Sequence, residues 1–340
     1  MRTYDGIPAA RMEAIFAGMD RVRAGLLGDI CLDVYWEADM RRAELSRETP
    51  HHPLPIVRER MSPGGGGNVA ANLAALAPAS VCLLSALGED WRGRELLRLL
   101  AGLSLDVSGI VSDGALVTNA YIKPMRHGLS DVVYEDPRLD FAAYEPLPAT
   151  AEDALLDALD RLAPTLDVLC VSDQMPCGVV TPRVRARVIA LARQGLRVVV
   201  DSRDRIGLYT HVTLKPNELE GAKAAGLDAH ALRGVTEFAA AAEKLAAQNT
   251  ASIFMTLGAQ GAVYADGGET WHIPARRVPP PIDFCGAGDS SLAGFALALA
   301  AGAQPHEAAA FAGLCSEVTI QQIGTTGTAA RGQVRAWWGR

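Results

Sequence analysis

Apolar residues along this chain come in short blocks separated by polar turns, and the spacing inside the blocks alternates between two periods. Val69, Leu73 and Leu76 recur at i, i+4 and i+7, one face of a helix that starts after Gly64–Gly67 with Asn68 as its N-cap. Residues 9–24 have the pattern of an amphipathic helix, and residues 25–32 (GLLGDICL) that of a short buried strand. Strand 80–86 and helix 90–101 follow. From residue 150 the alternation is regular. Helix 151–162 leads to strand 166–172 (LDVLCVS), and helix 181–194 to strand 196–201 (LRVVVD). A short strand at 211–214 precedes helix 217–225, and helix 235–248 precedes strand 252–257 (SIFMTL). Helices 290–302 and 305–321 close the series. Short β-branched strands alternating with helices imply an α/β fold whose central, mostly parallel sheet is covered on both faces. Ligands of such sheets bind beyond the carboxyl ends of the strands.

Two segments break the rhythm. Residues 34–62 are rich in charge, with Pro50, Pro53 and Pro55 close together, and residues 115–145 contain only short strand-like pieces around TNAYIKPM and VVYEDPRLDF. Proline disrupts helix interiors and central strands, which consigns these stretches to edge strands and loops outside the main core. The two segments are expected to pair as a second, small β layer. The predicted organisation is a main α/β domain of residues 1–33, 63–114 and 146–340, with a discontinuous β unit of residues 34–62 and 115–145.

Composition narrows the function classes. The 340 residues are 49% hydrophobic and 21% charged, which excludes a largely disordered chain. Thirty-two Lys and Arg against 39 Asp and Glu give a net charge of −7. That argues against a general nucleic-acid binder, whose affinity comes from cations meeting phosphates. Cys31, Cys82, Cys170, Cys177, Cys285 and Cys315 form no C-x-x-C pair and read as reduced, mostly buried thiols. The first residues, MRTYDGIPAARMEAIF, offer no continuous apolar stretch for a signal peptide. The longest small-apolar run, Leu292 to Ala303, is too short to cross a bilayer. A cytoplasmic protein without a membrane partner is expected.

Four motifs could carry chemistry. The first is Asp283-Phe284-Cys285-Gly286-Ala287-Gly288-Asp289, followed at once by the apolar helix SLAGFALALAAG. Small residues allow a ligand close to the backbone, and the free N–H groups of a helix start favour an anion such as a phosphate. Asp289 stands at the same point. A carboxylate beside a bound anion is unfavourable unless it accepts a proton from an attacking hydroxyl, although a simple helix N-cap also accounts for an Asp there. The second motif is Gly64-Gly65-Gly66-Gly67-Asn68, either a bare-backbone ligand loop or a flexible hinge. The third is Lys215-Pro216-Asn217-Glu218-Leu219-Glu220. Asn217 and Glu220 lie three apart, as hard oxygen groups that could hold Mg²⁺ through waters or as a capping box. The fourth is Thr256-Leu257-Gly258-Ala259-Gln260-Gly261, a strand running into a glycine turn, which a tight hairpin before GAVYAD also explains.

The order of the four motifs resembles the PfkB, or ribokinase-like, family of carbohydrate kinases. The resemblance spans nearly the whole chain, from GDICLD near residue 28 to IGTTGT near residue 324. Within the family it is nearest the heptose-7-phosphate kinase module of lipopolysaccharide-core biosynthesis. The stretches that carry this are residues 28–36 (GDICLDVYW), 46–55 (SRETPHHPLP), Arg138-Leu139-Asp140-Phe141 and Ser172-Asp173. The resemblance implies a three-layer αβα fold in which the small β-sheet is a lid over the sugar and a dimer surface. It implies an ATP-dependent phosphotransferase with an alcohol acceptor. Asp289 would be the general base, and the N–H groups of Gly286, Ala287, Gly288 and Asp289 the anion hole. Asp33, Gly65, Gly66 and Asn68 would hold the sugar. Lys215, Asn217, Glu220, Thr256, Gly258 and Gly261 would belong to the ATP site, with Asn217 and Glu220 organising Mg²⁺ through waters. A monovalent cation is a further candidate component. The nucleotidyltransferase half of bifunctional versions is expected to be absent, because the sequence ends soon after the kinase pattern.

Several positions depart from the heptose-kinase pattern. The loop after Ser172-Asp173, where a Lys is usual, here runs Gln174-Met175-Pro176-Cys177-Gly178, and Arg203 stands where a second Lys is expected. HHPLP carries a small insertion, and Gly313 replaces an Asn on the penultimate helix. These changes spare the phosphoryl-transfer motifs and bear on the sugar and any phosphate it carries. Kinases for ribose, fructose, ketodeoxygluconate or nucleosides are therefore the competing readings within the family. From other classes come a catalytically silent sugar-binding protein and a nicotinamide-dependent oxidoreductase. The latter rests on a G-x-G-x-x-A match at Gly65, Gly67 and Ala70 after the charged run IVRERMSP, which does not read as a buried first strand.

Overall fold

The computed structural model describes residues 1–340. In chain order its first elements are β1 (Arg2–Thr3), α1 (Ala9–Met19), β2 (Arg23–Gly28), β3 (Ile30–Asp39), β4 (Ile56–Gly65) and α2 (Gly66–Ala75). Next come β5 (Ser80–Gly88), α3 (Trp91–Gly102), β6 (Asp106–Asp113), β7 (Ala120–His127), β8 (Tyr134–Glu135) and β9 (Leu139–Phe141). Then follow α4 (Ala149–Leu162), β10 (Val168–Asp173), α5 (Pro182–Arg193), β11 (Arg197–Ser202), β12 (Thr213–Leu214) and α6 (Glu218–Ala224). The last are α7 (Val235–Asn249), β13 (Ser252–Thr256), β14 (Ala262–Ala265), β15 (Thr270–Ile273), α8 (Ala287–Ala300), α9 (Pro305–Thr319) and α10 (Arg331–Trp338).

Ten strands form one sheet in the order β1-β15-β14-β13-β12-β11-β10-β2-β5-β6, parallel except where β14 runs against β13 and β15. Apolar clusters fill both of its faces, one beneath α1, α2, α8 and α9 and the other beneath α4, α5 and α7. The middle strands are buried on both sides, as the run Val168 to Asp173 is throughout, which is why they read as continuous apolar blocks. Helix α8 is apolar all round because it is enclosed by α9, α2 and the sheet, with Phe295 stacked on Phe254 at 4.5 Å. No helix is long and apolar enough to cross a membrane.

The second sheet holds β4, β3, β7 and β8, with β9 also paired to β7. It is built from the two segments that break the α/β rhythm. Strand β3 is mostly buried, whereas β4 is largely exposed or half-buried and β8 and β9 are exposed, so their patterning is weak.

Three expectations need correction. The apolar run 25–32 is two strands, β2 in the large sheet and β3 in the small one. The chain changes sheets at Asp29, whose N–H pairs with Ser172 O at 3.0 Å while its side chain is buried. Helix 9–24 stops at Met19, because Val22 and the residues after it are claimed by the sheet core. Asn68 is not an N-cap. Helix α2 starts at Gly66 with Gly65 as its cap residue, at φ 56° and ψ −129°. That conformation is open to glycine, and a Cβ there would lie 2.8 Å from Asp29 O.

Candidate active site

The carboxyl ends of β2, β10, β11, β12 and β13 converge with the start of α8, and most of the polar residues singled out by the motifs gather there. The loop 283–286 is braced before the helix begins. Asp283 Oδ1 accepts from Cys285 N at 3.0 Å, and its Oδ2 accepts from Gly324 N at 3.0 Å. Gly286 sits at φ 78°, with room for no side chain because a Cβ would be 2.9 Å from Thr326 O. The Ala287 N–H folds back to Phe284 O at 3.2 Å, whereas Gly286, Gly288 and Asp289 have no backbone acceptor. Three of the four expected anion-hole donors are thus free.

Asp289 lies in the first turn of α8 and keeps some solvent access. Protein atoms crowd its carboxyl, and this desolvation, reinforced by Asp201 and Asp33, pushes its pKa up to about 7. Lys215 and the Asn68 amide pull the other way. Asn68 reaches it from the first turn of α2, so two motifs over 200 residues apart meet at one carboxylate.

Lys215 follows β12 and is 3% exposed. Its Nζ pairs with Asp201 Oδ2 at 2.7 Å and lies 3.8 Å from where a Cβ on Gly288 would be. Burial alone would lower its pKa, but the carboxylates of Asp201, Glu220 and Asp289 more than offset this and hold it above the usual lysine value. The ammonium is therefore charged, and it lies beside Gly288 in the first turn of α8.

Asn217 and Glu220 make the capping box of α6. Asn217 Oδ1 accepts from Leu219 N (3.0 Å) and Glu220 N (2.8 Å), and Glu220 Oε2 accepts from Asn217 N (2.9 Å). The second Glu220 oxygen remains unengaged. Burial raises this carboxyl's pKa. Thr256 bridges to Asn217, and Gly258 (φ 54°) and Gly261 (φ 88°) form the turn between β13 and β14. That turn is the hairpin considered as the plain alternative, and it puts the T-L-G-x-x-G motif beside K-P-N-x-x-E.

Asp33 enters from the small sheet, in register with Ser62 of β4 and Tyr121 of β7. It is 6% exposed and packed on Gly64, where a Cβ would be 2.6 Å from its Oδ2. Desolvation raises its pKa, and Lys123 and Arg138 oppose the rise. Gly65 and Gly66 line the same corner, although the Gly66 N–H already donates to Asp29 O at 2.7 Å.

Several residues here escaped the motif reading. Asp29 is 1% exposed and accepts from Gln174 N (2.9 Å), Met175 N (2.8 Å) and Val179 N (2.7 Å), so it suspends the whole loop after β10. Its burial raises the pKa to about 6. A carboxylate inside an apolar run was the available signal. Asp173, quoted only for resemblance, is tied to Arg205, Ser202 Oγ and Tyr209 Oη and is structural. Lys123 bonds Tyr35 Oη at 3.0 Å, and Arg138 covers the Tyr121 ring at 4.3 Å. Arg138 was quoted only within a stretch of resemblance and Lys123 was given no role, because only the folding of the small sheet brings both to bear on Asp33.

No group of three or more His, Cys, Asp or Glu converges as a metal cage. A hard cation at Glu220 would thus be held mainly by waters and phosphate oxygens, which agrees with one free carboxylate oxygen beside a buried ammonium.

Comparison with known proteins bears on the same residues. Residues 32–330 match the family described as pfkB family carbohydrate kinase. The "Bifunctional protein HldE" of Geobacter metallireducens is 32% identical over 323 residues, 93% of this chain, and the chain spans 63% of that protein's length. Among solved structures, phosphofructokinase-2 from Escherichia coli in complex with potassium superposes with a TM-score of 0.72 at 21% identity, covering 94% of this chain and 98% of that one. Ribokinase of Arabidopsis thaliana complexed with ribose and ATP gives 0.69 at 17% identity, covering 94% and 99%.

Proposed function

We propose, from the premise that the chain belongs to the pfkB family of carbohydrate kinases and is a phosphotransferase with an alcohol acceptor, that it moves the γ-phosphoryl group of ATP to the anomeric hydroxyl of a heptose 7-phosphate. The observation that carries the chemistry is the meeting of Asp289, Asn68 and Lys215 at the free N–H groups that open α8. The sugar hydroxyl would lie between Asp33 and Asp289. Asp289 takes its proton as the oxygen attacks phosphorus, and a base with pKa about 7 is matched to neutral pH. The N–H groups of Gly286, Gly288 and Asp289, with the Lys215 ammonium, stabilise charge on the transferring group. Asn217 and Glu220 would hold Mg²⁺ through waters, and that ion supplies charge neutralisation at the phosphates. Thr256, Gly258 and Gly261 would border the nucleotide. The small sheet, which carries Asp33, would close over the sugar, exclude water and suppress ATP hydrolysis.

The heptose acceptor is supported by the stretches of resemblance and by a relative of the HldE type. Lys123 and Arg138, both facing Asp33, fit an acceptor that carries an anionic group. Exposed Ile56, Val57, Leu139 and Phe141 on the small sheet support a homodimer through that surface. Six free thiols fit a reducing cytoplasm. A monovalent cation such as potassium would assist, in keeping with a solved structure of the same fold described with that ion. The test is an ADP-release screen over heptose 7-phosphate, fructose 6-phosphate, ribose, ketodeoxygluconate and nucleosides. Selective turnover of the heptose phosphate is expected. Turnover confined to an uncharged sugar or a nucleoside would replace the acceptor, and no turnover with any would leave the silent sugar-binding reading.

A further inference from the structure

A line of polar side chains runs under the start of α8, and two of its members have no role in the assignments above. Gln174 Nε2 donates to Asp201 Oδ1 at 3.1 Å, and Asp201 Oδ2 takes Lys215 Nζ at 2.7 Å. Each member is independently anchored. The Gln174 N–H hangs on Asp29 Oδ2 at 2.9 Å, Asp201 stands near the carboxyl end of β11, and Lys215 N donates to Val200 O at 2.7 Å. The line therefore joins the loop after β10 to the ammonium that faces Gly288. Lys215 has this one ion-pair partner. An ammonium as buried as this keeps its proton only beside an anion.

We propose that Asp201 and Gln174 are positioning residues for phosphoryl transfer: Asp201, oriented by Gln174, holds the charged Lys215 head beneath Gly288 and sets a fixed negative charge beside Asp289. This rests on the reading of Asp289 as the base and of the helix start as the phosphate cradle. The groups facing Asp289 are Asp201 from β11, Lys215 after β12, Asn68 from α2 and Asp33 from β3. Cys31 and Cys285 also lie within its field. The neutral amide at position 174 is part of the device. A lysine there would bring a second ammonium to the same carboxylate and compete with Lys215 for it.

The experiment measures ADP release from Mg-ATP, to water alone and to the sugar panel, as a function of pH. The proteins are wild type, Asp201→Asn, Asp201→Glu, Gln174→Ala and Asp289→Asn. Asp201→Asn removes an anion next to Asp289. The acidic limb of kcat should move about one pH unit lower while kcat at its plateau falls about tenfold or more. Asp201→Glu should restore the limb and part of the rate. Gln174→Ala should lose rate several-fold without moving the limb, since it removes no charge. A purely structural role would lower melting temperature and rate in all variants and leave the limb in place, which overturns the proposal. Wild-type kcat and pH profile in Asp201→Asn would overturn it too. Wild-type turnover in Asp289→Asn instead refutes the base assignment on which the proposal stands, and so separates the two failures. Should Asp201→Asn not fold, Asp201→Glu and Gln174→Ala still decide: wild-type rate in Gln174→Ala rejects the line.

Discussion

Asp289→Asn should make the protein more stable and nearly inactive at once, and the two effects have one cause. The folded chain holds this carboxyl with a pKa of about 7, against about 3.8 when unfolded. A raised carboxyl pKa means that the folded state binds the proton more tightly than the unfolded chain does. The penalty is therefore absent below about pH 4, grows between about pH 4 and pH 7, and is complete above. About three pH units at about 1.4 kcal/mol each set a ceiling of about 4 kcal/mol. Asp289 keeps some contact with water, so the recoverable part is about 1–2 kcal/mol, or a few degrees of melting temperature. Asn has the same shape without the charge. Urea or thermal unfolding of both proteins at pH 4.5 and pH 8 checks this. The variant's advantage should be clear at pH 8 and small at pH 4.5, where the folded protein holds Asp289 protonated; Asp29 titrates in the same direction but cancels, being common to both proteins. The same substitution should lower kcat by about 10²–10⁴ with Mg-ATP binding retained. A variant no more stable than wild type at pH 8 would refute the idea that Asp289 is held ionised at a cost.

Three further outcomes follow from the geometry. Asp33→Ala should raise the acceptor KM by about tenfold or more and leave Mg-ATP affinity, read by calorimetry, unchanged; loss of ATP binding instead would remove Asp33 from the sugar side. Asp29→Ala orphans the N–H groups of Gln174, Met175 and Val179 and should cost about 3 kcal/mol in urea unfolding, with faster amide exchange confined first to residues 174–179; wild-type stability would show that water replaces the carboxylate freely. Cys285 is the exposed thiol of the six, so limiting maleimide should modify it first, and a bulky adduct beside Asp289 should block turnover; peptide mapping that finds another cysteine labelled first contradicts the arrangement.

Much of the large sheet was legible because burial on both faces writes a continuous apolar block, as in Val168 to Asp173, and amphipathic helices write the 3.6-residue period between such blocks. The four glycine- and carboxylate-bearing motifs were legible too, since a helix start that leaves N–H groups open demands small residues and a turn. The small sheet was visible mainly as an interruption, because its exposed and half-exposed strands β4, β8 and β9 carry little hydrophobic signal. The change of sheet at Asp29 was hidden inside a run that reads as one strand, and the start of α2 at Gly66 turned on a glycine conformation no composition reveals.

Local spacing also could not tell whether Asp289 was a cap or a base, or whether Lys215 met anything at all. Those answers depend on polar and charged groups brought to α8 from β3, α2, β11 and the segment after β12, over 250 residues apart from Asp33 to Asp289. The field at a buried carboxylate is the sum over everything within a few ångströms of it. The chain's order specifies which groups exist, and only its folding specifies which of them are near.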